Sequence, residues 1–200
     1  MTLISEHVEP DTRERILVVA ERLFRQIGYQ KTTVADIAKE LRMSPANVYR
    51  FFDSKKAIHE GVCRGLMGEV EAEANRIAAM PGPAAVRLRE MMKTINRMNT
   101  ERYVGDSKLH EMVAIAMEED WKVCDTHLEF LAGAVGKVLA DGMASGEFKP
   151  GDPMTTALCV FSSMVRFFHP QIIAQCANKP GPTLEQMVDF VISSISVAKP

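Results

Sequence analysis

The sequence predicts an all-α protein of about nine helices, and three observations support that fold class. Apolar residues recur with the 3.6-residue period of a helix in almost every segment, and no convincing alternating strand interrupts them. Helix-start signals and Pro/Gly breaks divide the 200 residues at regular intervals. The composition includes 13 Met with only 6% aromatic residues, a mixture that favours helices over strands.

The N-terminal part predicts three short helices after a flexible arm at residues 1–10. Asp11 and Glu14 form a capping-box pattern that opens the first helix. Its apolar stripe lies within residues 16–27, and Gly28 is suited to end it in the left-handed conformation.

The second and third helices form a helix-turn-helix pattern. Residues 33–41 and 44–52 are two short helices with a brief turn between them. Thr33 is a suitable N-cap for the first of these helices. Ser44 is a suitable N-cap for the second, with Pro45 at the favoured first position.

A long fourth helix over residues 54–78, capped by Asp53 or Ser54, is expected to link this part to a C-terminal bundle. The predicted domains are therefore a helix-turn-helix domain at 11–56 and a second helical domain at 57–200. After the Met80-Pro81-Gly82-Pro83 break, further helices are expected around 86–98, 107–117 and 121–144. Asp152 is expected to cap a long apolar helix kinked near Pro170, and Thr183 with Gln186 to open the last helix.

The distribution of charge points to a polyanionic partner for the N-terminal part. The whole chain has a net charge of −2, yet residues 22–56 carry eight basic residues against three acidic ones. A basic segment on an otherwise acidic chain is typical of a nucleic-acid contact, although a solvated charged face would look the same.

The predicted second helix of the motif carries small and polar side chains that fit a major groove. Asn47 can bond an adenine edge, Arg50 a guanine or a phosphate, and the methyl group of Ala46 a thymine methyl. Residues suited to hold DNA through phosphates or through the thin helix start are Thr33, Ser44, Pro45, Tyr49 and Lys55.

These residues resemble the DNA-binding signature of the TetR family. The resemblance is carried by residues 31–38 and by residues 43–55, and it extends over about 12–60. It implies a dimeric repressor, with a recognition helix at 45–51, phosphate contacts from Tyr49 and Lys55, a ligand cavity in the C-terminal bundle and a dimer formed by the last two helices. The family usually has Gly in the turn where this chain has Arg42, and often Tyr or His where it has Phe51.

The resemblance and the apolar patterning together predict a ligand site and a dimer surface. A hydrophobic or amphipathic effector is expected against Leu66, Met67, Met91, Ile95, Trp121 and Leu128. The Met residues fit a plain core as well as a ligand wall, and His127 fits a satisfied histidine better than a ligand contact. The homodimer surface is expected at Leu158, Phe161, Val165, Phe168, Val188, Ile192 and Ile195.

The sequence favours a ligand-released repressor of an inverted-repeat operator in double-stranded DNA. The alternatives are a helical ligand-binding or scaffold protein without DNA binding, and a ligand-independent regulator. Catalysis is not expected, because no Glu-x-x-His pair, nucleophile elbow, phosphate loop or dinucleotide-binding glycine pattern occurs. No cofactor, metal or membrane partner is expected, and four widely spaced cysteines without a signal peptide favour a cytoplasmic protein.

Overall fold

The computed structural model describes residues 11–103, 106–118 and 122–198, and within these ranges the chain is helical without a named strand. The flexible arm expected at residues 1–10 lies outside the described residues. The helices are α1 (Thr12–Ile27), α2 (Val34–Glu40), α3 (Pro45–Tyr49), α4 (Lys55–Ala78), α5 (Ala84–Tyr103), α6 (Ser107–Glu118), α7 (Lys122–Ala144), α8 (Pro153–Ser163), α9 (Val165–Phe168), α10 (Pro170–Cys176) and α11 (Leu184–Ile195). The all-α prediction is confirmed.

The chain divides into two compact units, of which the first ends at Cys63 and the second begins at Arg64. The first unit contains α1, α2, α3 and the start of α4. Its buried side chains come from each of these helices, and they include Phe24, Ile37, Val48 and Ile58. Burial of one apolar face on each short helix stabilises helices that are too short to persist alone in water.

The second unit is a bundle in which α5, α7 and α8 pack together, with α10 and α11 against α5. Its core is made of aliphatic and Met side chains, among them Leu88, Met91, Val138 and Met164. The N-terminus of α5 is capped from far along the chain, because both carboxylate oxygens of Glu147 accept backbone N–H bonds from Ala84 and Ala85 at 2.9 and 3.1 Å.

Local capping predictions were correct at five helix starts and wrong at one. The cap of α4 is Ser54, whose hydroxyl accepts from the Ala57 N–H at 3.0 Å. Thr33 and Thr183 each form a complete capping box, while Ser44 and Asp152 accept backbone N–H bonds as N-caps. The box expected at Asp11 and Glu14 does not form, since the side chain of Asp11 makes no capping bond and both residues stay exposed to water.

The long apolar helix expected after Asp152 is three helices rather than one kinked helix. The first break lies at Met164, whose N–H bonds to both Val160 and Phe161 as the last turn tightens. The second lies at His169, which is extended (ψ 121°) because it precedes Pro170. The amides of Asn96 and Asn99 on α5 then bond the carbonyls of Phe167 and Phe168, both at 2.9 Å.

Candidate DNA interface and ligand cavity

The start of α2 is held rigidly by the capping box of Thr33 and Asp36. The hydroxyl of Thr33 accepts from the Asp36 N–H at 3.1 Å, and the Asp36 carboxylate accepts from the Thr33 N–H at 2.8 Å. The same carboxylate also accepts from the Thr33 hydroxyl at 2.6 Å. These hydrogen bonds from Thr33 lower the pKa of Asp36, so its charge stays at the positive end of the helix.

The turn between α2 and α3 depends on a non-glycine residue in the left-handed region. Arg42 has φ 56°, and among the described residues it alone combines a side chain with a positive φ. The chain reverses there, and the N–H of Met43 bonds back to the carbonyl of Ala38 at 3.0 Å. Arg42 is exposed, so its guanidinium can reach solvent beside the helix-turn-helix.

The recognition helix α3 is anchored on one side and open on the other. Val48 is completely buried, which fixes the helix to the unit, and the hydroxyl of Ser44 accepts from the Asn47 N–H at 3.2 Å. The structure leaves the predicted contact residues Ala46, Tyr49 and Arg50 open to solvent. Helix α3 and the residue after it therefore present three of the predicted DNA-contact residues on a solvent-facing surface.

The predicted phosphate donor Lys55 already has a partner within the first unit. Its ammonium donates to the carbonyl of Gln30 at 3.2 Å and lies 4.3 Å from the ring centre of Tyr29. Partial burial lowers the pKa of Lys55. If Lys55 contacts a phosphate, its ammonium group is already positioned for that contact by the loop before α2.

The second unit contains a mostly apolar cavity of about 210 Å³, which is partly open to solvent because Leu128 and Val165 in its lining are exposed. Three of the predicted ligand residues, Met67, Ile95 and Leu128, line it. Leu66 and Met91 are buried elsewhere in the bundle and are absent from the lining. The predicted contact Trp121 lies outside the described residues. The other lining residues are Asn99, Val113, Cys124, His127, Leu131, Phe161, Val165, Phe168, His169 and Pro170.

The cavity wall contains two histidines. The Nδ1 of His127 lies 2.8 Å from Oε1 of Glu71 on α4. Burial lowers the pKa of His127, and this effect outweighs the opposing effect of its hydrogen bond to Glu71. Burial also lowers the pKa of His169, which stands at the break between α9 and α10. The sequence analysis did not predict His169 or Asn99 as cavity residues. For His169, the chain break expected at Pro170 was the signal that could have indicated it.

The predicted dimer residues divide into three groups in the structure. Leu158 and Val165 are exposed at 55% and 45%. Half-buried members that pack against the bundle core are Phe161, Phe168, Ile192 and Ile195. Val188 has 0% exposure because its side chain packs in the core of its own bundle. Its assignment as a direct dimer contact is therefore wrong.

Two features of this surface could not be read from the apolar pattern. Phe161, Val165 and Phe168 line the cavity, which gives them a second place in the structure beside the predicted dimer surface. Phe190 on α11 is 64% exposed and was not predicted, although a large apolar residue on the polar side of a helix is itself a signal of a contact surface.

A helix-turn-helix with an open recognition helix, followed along the chain by a helical bundle with a cavity, is typical of a DNA-binding regulator with a ligand domain. Comparisons with known proteins agree. Residues 16–62 match the family described as "Bacterial regulatory proteins, tetR family", and residues 84–188 match "Tetracyclin repressor-like, C-terminal domain". The chain belongs to the TetR family of transcriptional regulators.

Individual relatives are similar at different lengths. The uncharacterized HTH-type transcriptional regulator YhgD of Bacillus subtilis is 23% identical over 147 residues, which cover 74% of this chain and 77% of YhgD. The biofilm operon negative regulator IcaR of Staphylococcus aureus is 44% identical over 48 residues, which are 24% of this chain and 26% of IcaR.

Two solved structures share the fold at low sequence identity. SmeT, the repressor of a Stenotrophomonas maltophilia multidrug efflux pump, has a TM-score of 0.68 at 16% identity and covers 93% of this chain and 91% of its own. FadR of Thermus thermophilus, solved with lauroyl-CoA, has a TM-score of 0.61 at 21% identity, and the match covers 90% of this chain and 91% of FadR.

Family membership confirms the prediction of a DNA-binding transcriptional regulator without enzymatic activity, since TetR regulators are not enzymes. Members of the family bind operator DNA, dimerise and bind small-molecule effectors. Within the described ranges, every helix is too short or too polar to cross a bilayer.

Proposed function

We propose that this regulator is a repressor that binds an inverted-repeat operator as a homodimer and releases it when a small molecule enters the cavity of the second unit. The observation that carries the proposal is the continuity of helix α4. This helix carries Lys55 at its start, and further along it carries Met67, which lines the cavity, and Glu71, which bonds the cavity residue His127. A ligand that displaces this helix therefore acts on an element that also belongs to the DNA-binding unit.

The proposed DNA contacts follow from side-chain chemistry, and all of them except the half-buried Asn47 and Lys55 are exposed to solvent. Asn47, Arg50 and Ala46 are assigned to base edges, and Tyr49 and Lys55 to phosphates. Thr33, Ser44 and Pro45 are assigned to the helix starts that face the DNA backbone. Base contacts give the preference for a sequence, whereas phosphate contacts add affinity that is independent of sequence.

The proposed dimer surface is formed by the outer faces of α8 and α11. Leu158 and Phe190 are the large apolar side chains that these helices leave most exposed, at 55% and 64%. Burying such a patch against its own copy removes apolar area from water, and a two-fold dimer requires half-sites about one helical turn or more apart.

Dimerisation is tested by sedimentation at micromolar protein concentration. Leu158→Glu with Phe190→Glu is expected to shift the protein to a monomer, because four charges would face one another across the two-fold axis. Val86→Glu is the matched control, since Val86 is 60% exposed on α5, outside this surface. A monomeric wild type, or a double variant that stays dimeric, would contradict the proposed surface.

The proposed effector is hydrophobic or amphipathic, because aliphatic and aromatic side chains dominate the cavity wall. For release, the effector must bind the DNA-free form more tightly than the DNA-bound form, and the coupling is expected at about 1–3 kcal/mol. FadR, of the same fold, was solved with lauroyl-CoA, which supports an apolar ligand class at the level of fold alone.

Operator binding is tested by fluorescence anisotropy on labelled DNA from beside the gene, followed by a thermal-shift screen of small apolar compounds. A hit is expected to raise the melting temperature and to weaken operator binding. DNA binding that no cavity ligand affects would favour the ligand-independent regulator. Ligand binding without any DNA binding would favour a ligand-binding protein of the same fold.

A further inference from the structure

One histidine of the cavity wall has its Nδ1 held by a carboxylate on α4. The Nδ1 of His127 is 2.8 Å from the carboxylate of Glu71, and the two side chains are only 14% and 20% exposed. A carboxylate only accepts hydrogen bonds, so the Nδ1 carries the proton and donates it. In the neutral ring the Nε2 is then an acceptor, and His127 belongs to the cavity lining.

Burial is the main reason why the neutral form of His127 is favoured, and the charge of Arg102 adds a smaller effect in the same direction. Arg102 on α5 bonds the carbonyl of Leu66 and the carboxylate of Glu69, and its charge opposes a second positive charge on the imidazole. Burial has the largest effect and lowers the pKa of His127, with Glu71 acting in the opposite direction. The other titratable groups of the cavity wall are His169, whose pKa burial also lowers, and the thiol of Cys124.

We propose that the effector is a small, mainly apolar molecule with one weakly acidic hydroxyl group, which donates a hydrogen bond to the Nε2 of His127. This inference rests on the proposed function of the cavity and names its ligand class. Glu71 is a positioning residue, because it fixes the tautomer and the orientation of the ring that receives the ligand. A phenol or an un-ionised carboxylic acid supplies the same donor, and the test below separates these two sources.

The volume of the cavity suits a ligand of about one substituted ring. An apolar cavity of about 150 Å³ in another protein holds benzene. The cavity here is about 210 Å³, which leaves space for a ring with a short substituent. Apolar neighbours such as Ile95, Leu131 and Phe168 suit the ring, and the hydroxyl is the one group that needs a polar partner.

Isothermal titration of the full chain with four matched probes tests the proposal. The probes are 4-ethylphenol, 4-ethylanisole, ethylbenzene and 4-ethylbenzoate. We expect 4-ethylphenol to bind about tenfold more tightly than 4-ethylanisole and ethylbenzene, since only its hydroxyl can donate to the Nε2. Binding of 4-ethylbenzoate that strengthens as the pH falls would assign the carboxylic acid instead of the phenol as the source of the same donor.

Two variants locate this preference at the dyad. His127→Phe keeps a ring and removes the acceptor, so we expect the preference for 4-ethylphenol to disappear while ethylbenzene still binds. Glu71→Gln is expected to reduce the preference, because a glutamine amide can also donate to Nδ1. The ring proton is then no longer held on Nδ1, and Nε2 is no longer always an acceptor. Glu73→Gln is the matched control, since Glu73 pairs with Arg76 on the exposed side of α4 and should leave the preference unchanged.

The outcomes separate this inference from the proposed function. Equal binding of 4-ethylphenol and ethylbenzene to the wild type, or binding of none of the four probes, overturns the ligand class. A preference that survives in His127→Phe overturns the role of this residue. If the preference holds but no probe weakens operator binding, the ligand class stands and ligand-released repression fails. If ethylbenzene binds equally well and releases the operator, repression stands and this inference fails.

Discussion

Replacing Arg42 with glycine should change folding stability and DNA affinity in opposite directions. Its φ of 56° places a long side chain in the left-handed region, at a cost of about 1 kcal/mol or more. Glycine has no such cost in the folded state. It does lower the folding stability by about 0.5–1 kcal/mol, because it gives the unfolded chain more conformational freedom. Arg42→Ala keeps the strain and loses the charge, whereas Arg42→Gly loses both.

We therefore expect Arg42→Gly to be more stable than Arg42→Ala by about 0.5 kcal/mol, or about 1–2 °C in melting temperature for a chain of this size. We propose that the guanidinium contacts an operator phosphate. Both variants should then reduce the slope of log affinity against log salt concentration by about 0.9, the value of one phosphate contact.

Thermal unfolding of the DNA-free protein and anisotropy titrations over a range of salt concentrations measure the two effects separately. Arg42→Lys is the control, since it keeps both the charge and the strain and should keep the salt slope. A glycine variant no more stable than the alanine variant would refute the argument from backbone strain. An unchanged salt slope in both neutral variants would refute the phosphate contact.

Two further predictions concern base reading and core packing. Asn47→Ala should change the preferred bases at a cost of about 1–3 kcal/mol, whereas Lys55→Ala should weaken binding to all sequences and lower the salt slope by about one, both measured with operator and scrambled DNA. Gly142→Ala should destabilise the fold by about 1–3 kcal/mol, because the new Cβ would lie 2.2 Å from the ring of Phe148. Gly133→Ala in the same helix meets no atom within 4 Å and should stabilise it by about 0.5–1 kcal/mol, so similar melting temperatures for the two variants would contradict the packing argument.

Local chemistry explains why the sequence was sufficient for the helix-turn-helix. The caps at Thr33 and Ser44 each bond a backbone N–H only three residues further along the chain, and the apolar spacing that buries Val48 is equally local. Such signals can be read without knowledge of the tertiary fold. The turn residue Arg42 was also recognisable, because a family preference for Gly at that position indicates a positive φ.

The cavity depends on distant contacts, and the sequence predicted it only in part. Asn96 and Asn99 satisfy carbonyls some seventy residues away, and the resulting bend brings His169 to the cavity wall. The pairing of His127 with Glu71 joins α7 to α4, and neither residue has a local pattern that names its partner. Helical periodicity shows which side faces inward, but it does not distinguish core from cavity wall, as Met91 illustrates.

The two cavity histidines should make folding stability fall as the pH decreases below about 6.5, the ordinary pKa of histidine. Burial lowers the pKa values of both His127 and His169, so the unfolded chain binds protons at a higher pH than the folded one. This contribution to stability is complete above the unfolded pKa and is lost as the pH falls toward the folded values. Carboxylates with lowered pKa, such as Asp36 and Asp152, lose their contribution only as the pH falls to about 3.8 and below, outside this window.

Urea unfolding at pH 7.5 and pH 5.0 measures the effect without DNA. The wild type should be less stable at pH 5.0, and the double variant His127→Gln with His169→Gln should show a smaller loss, because glutamine binds no proton in this range. In that variant the amide introduced by His127→Gln can still donate to Glu71, so the bundle keeps a hydrogen bond there. Equal losses in the wild type and the double variant would show that other groups dominate the pH dependence. A wild type more stable at pH 5.0 would reverse the sign and place protonated histidines in the folded cavity.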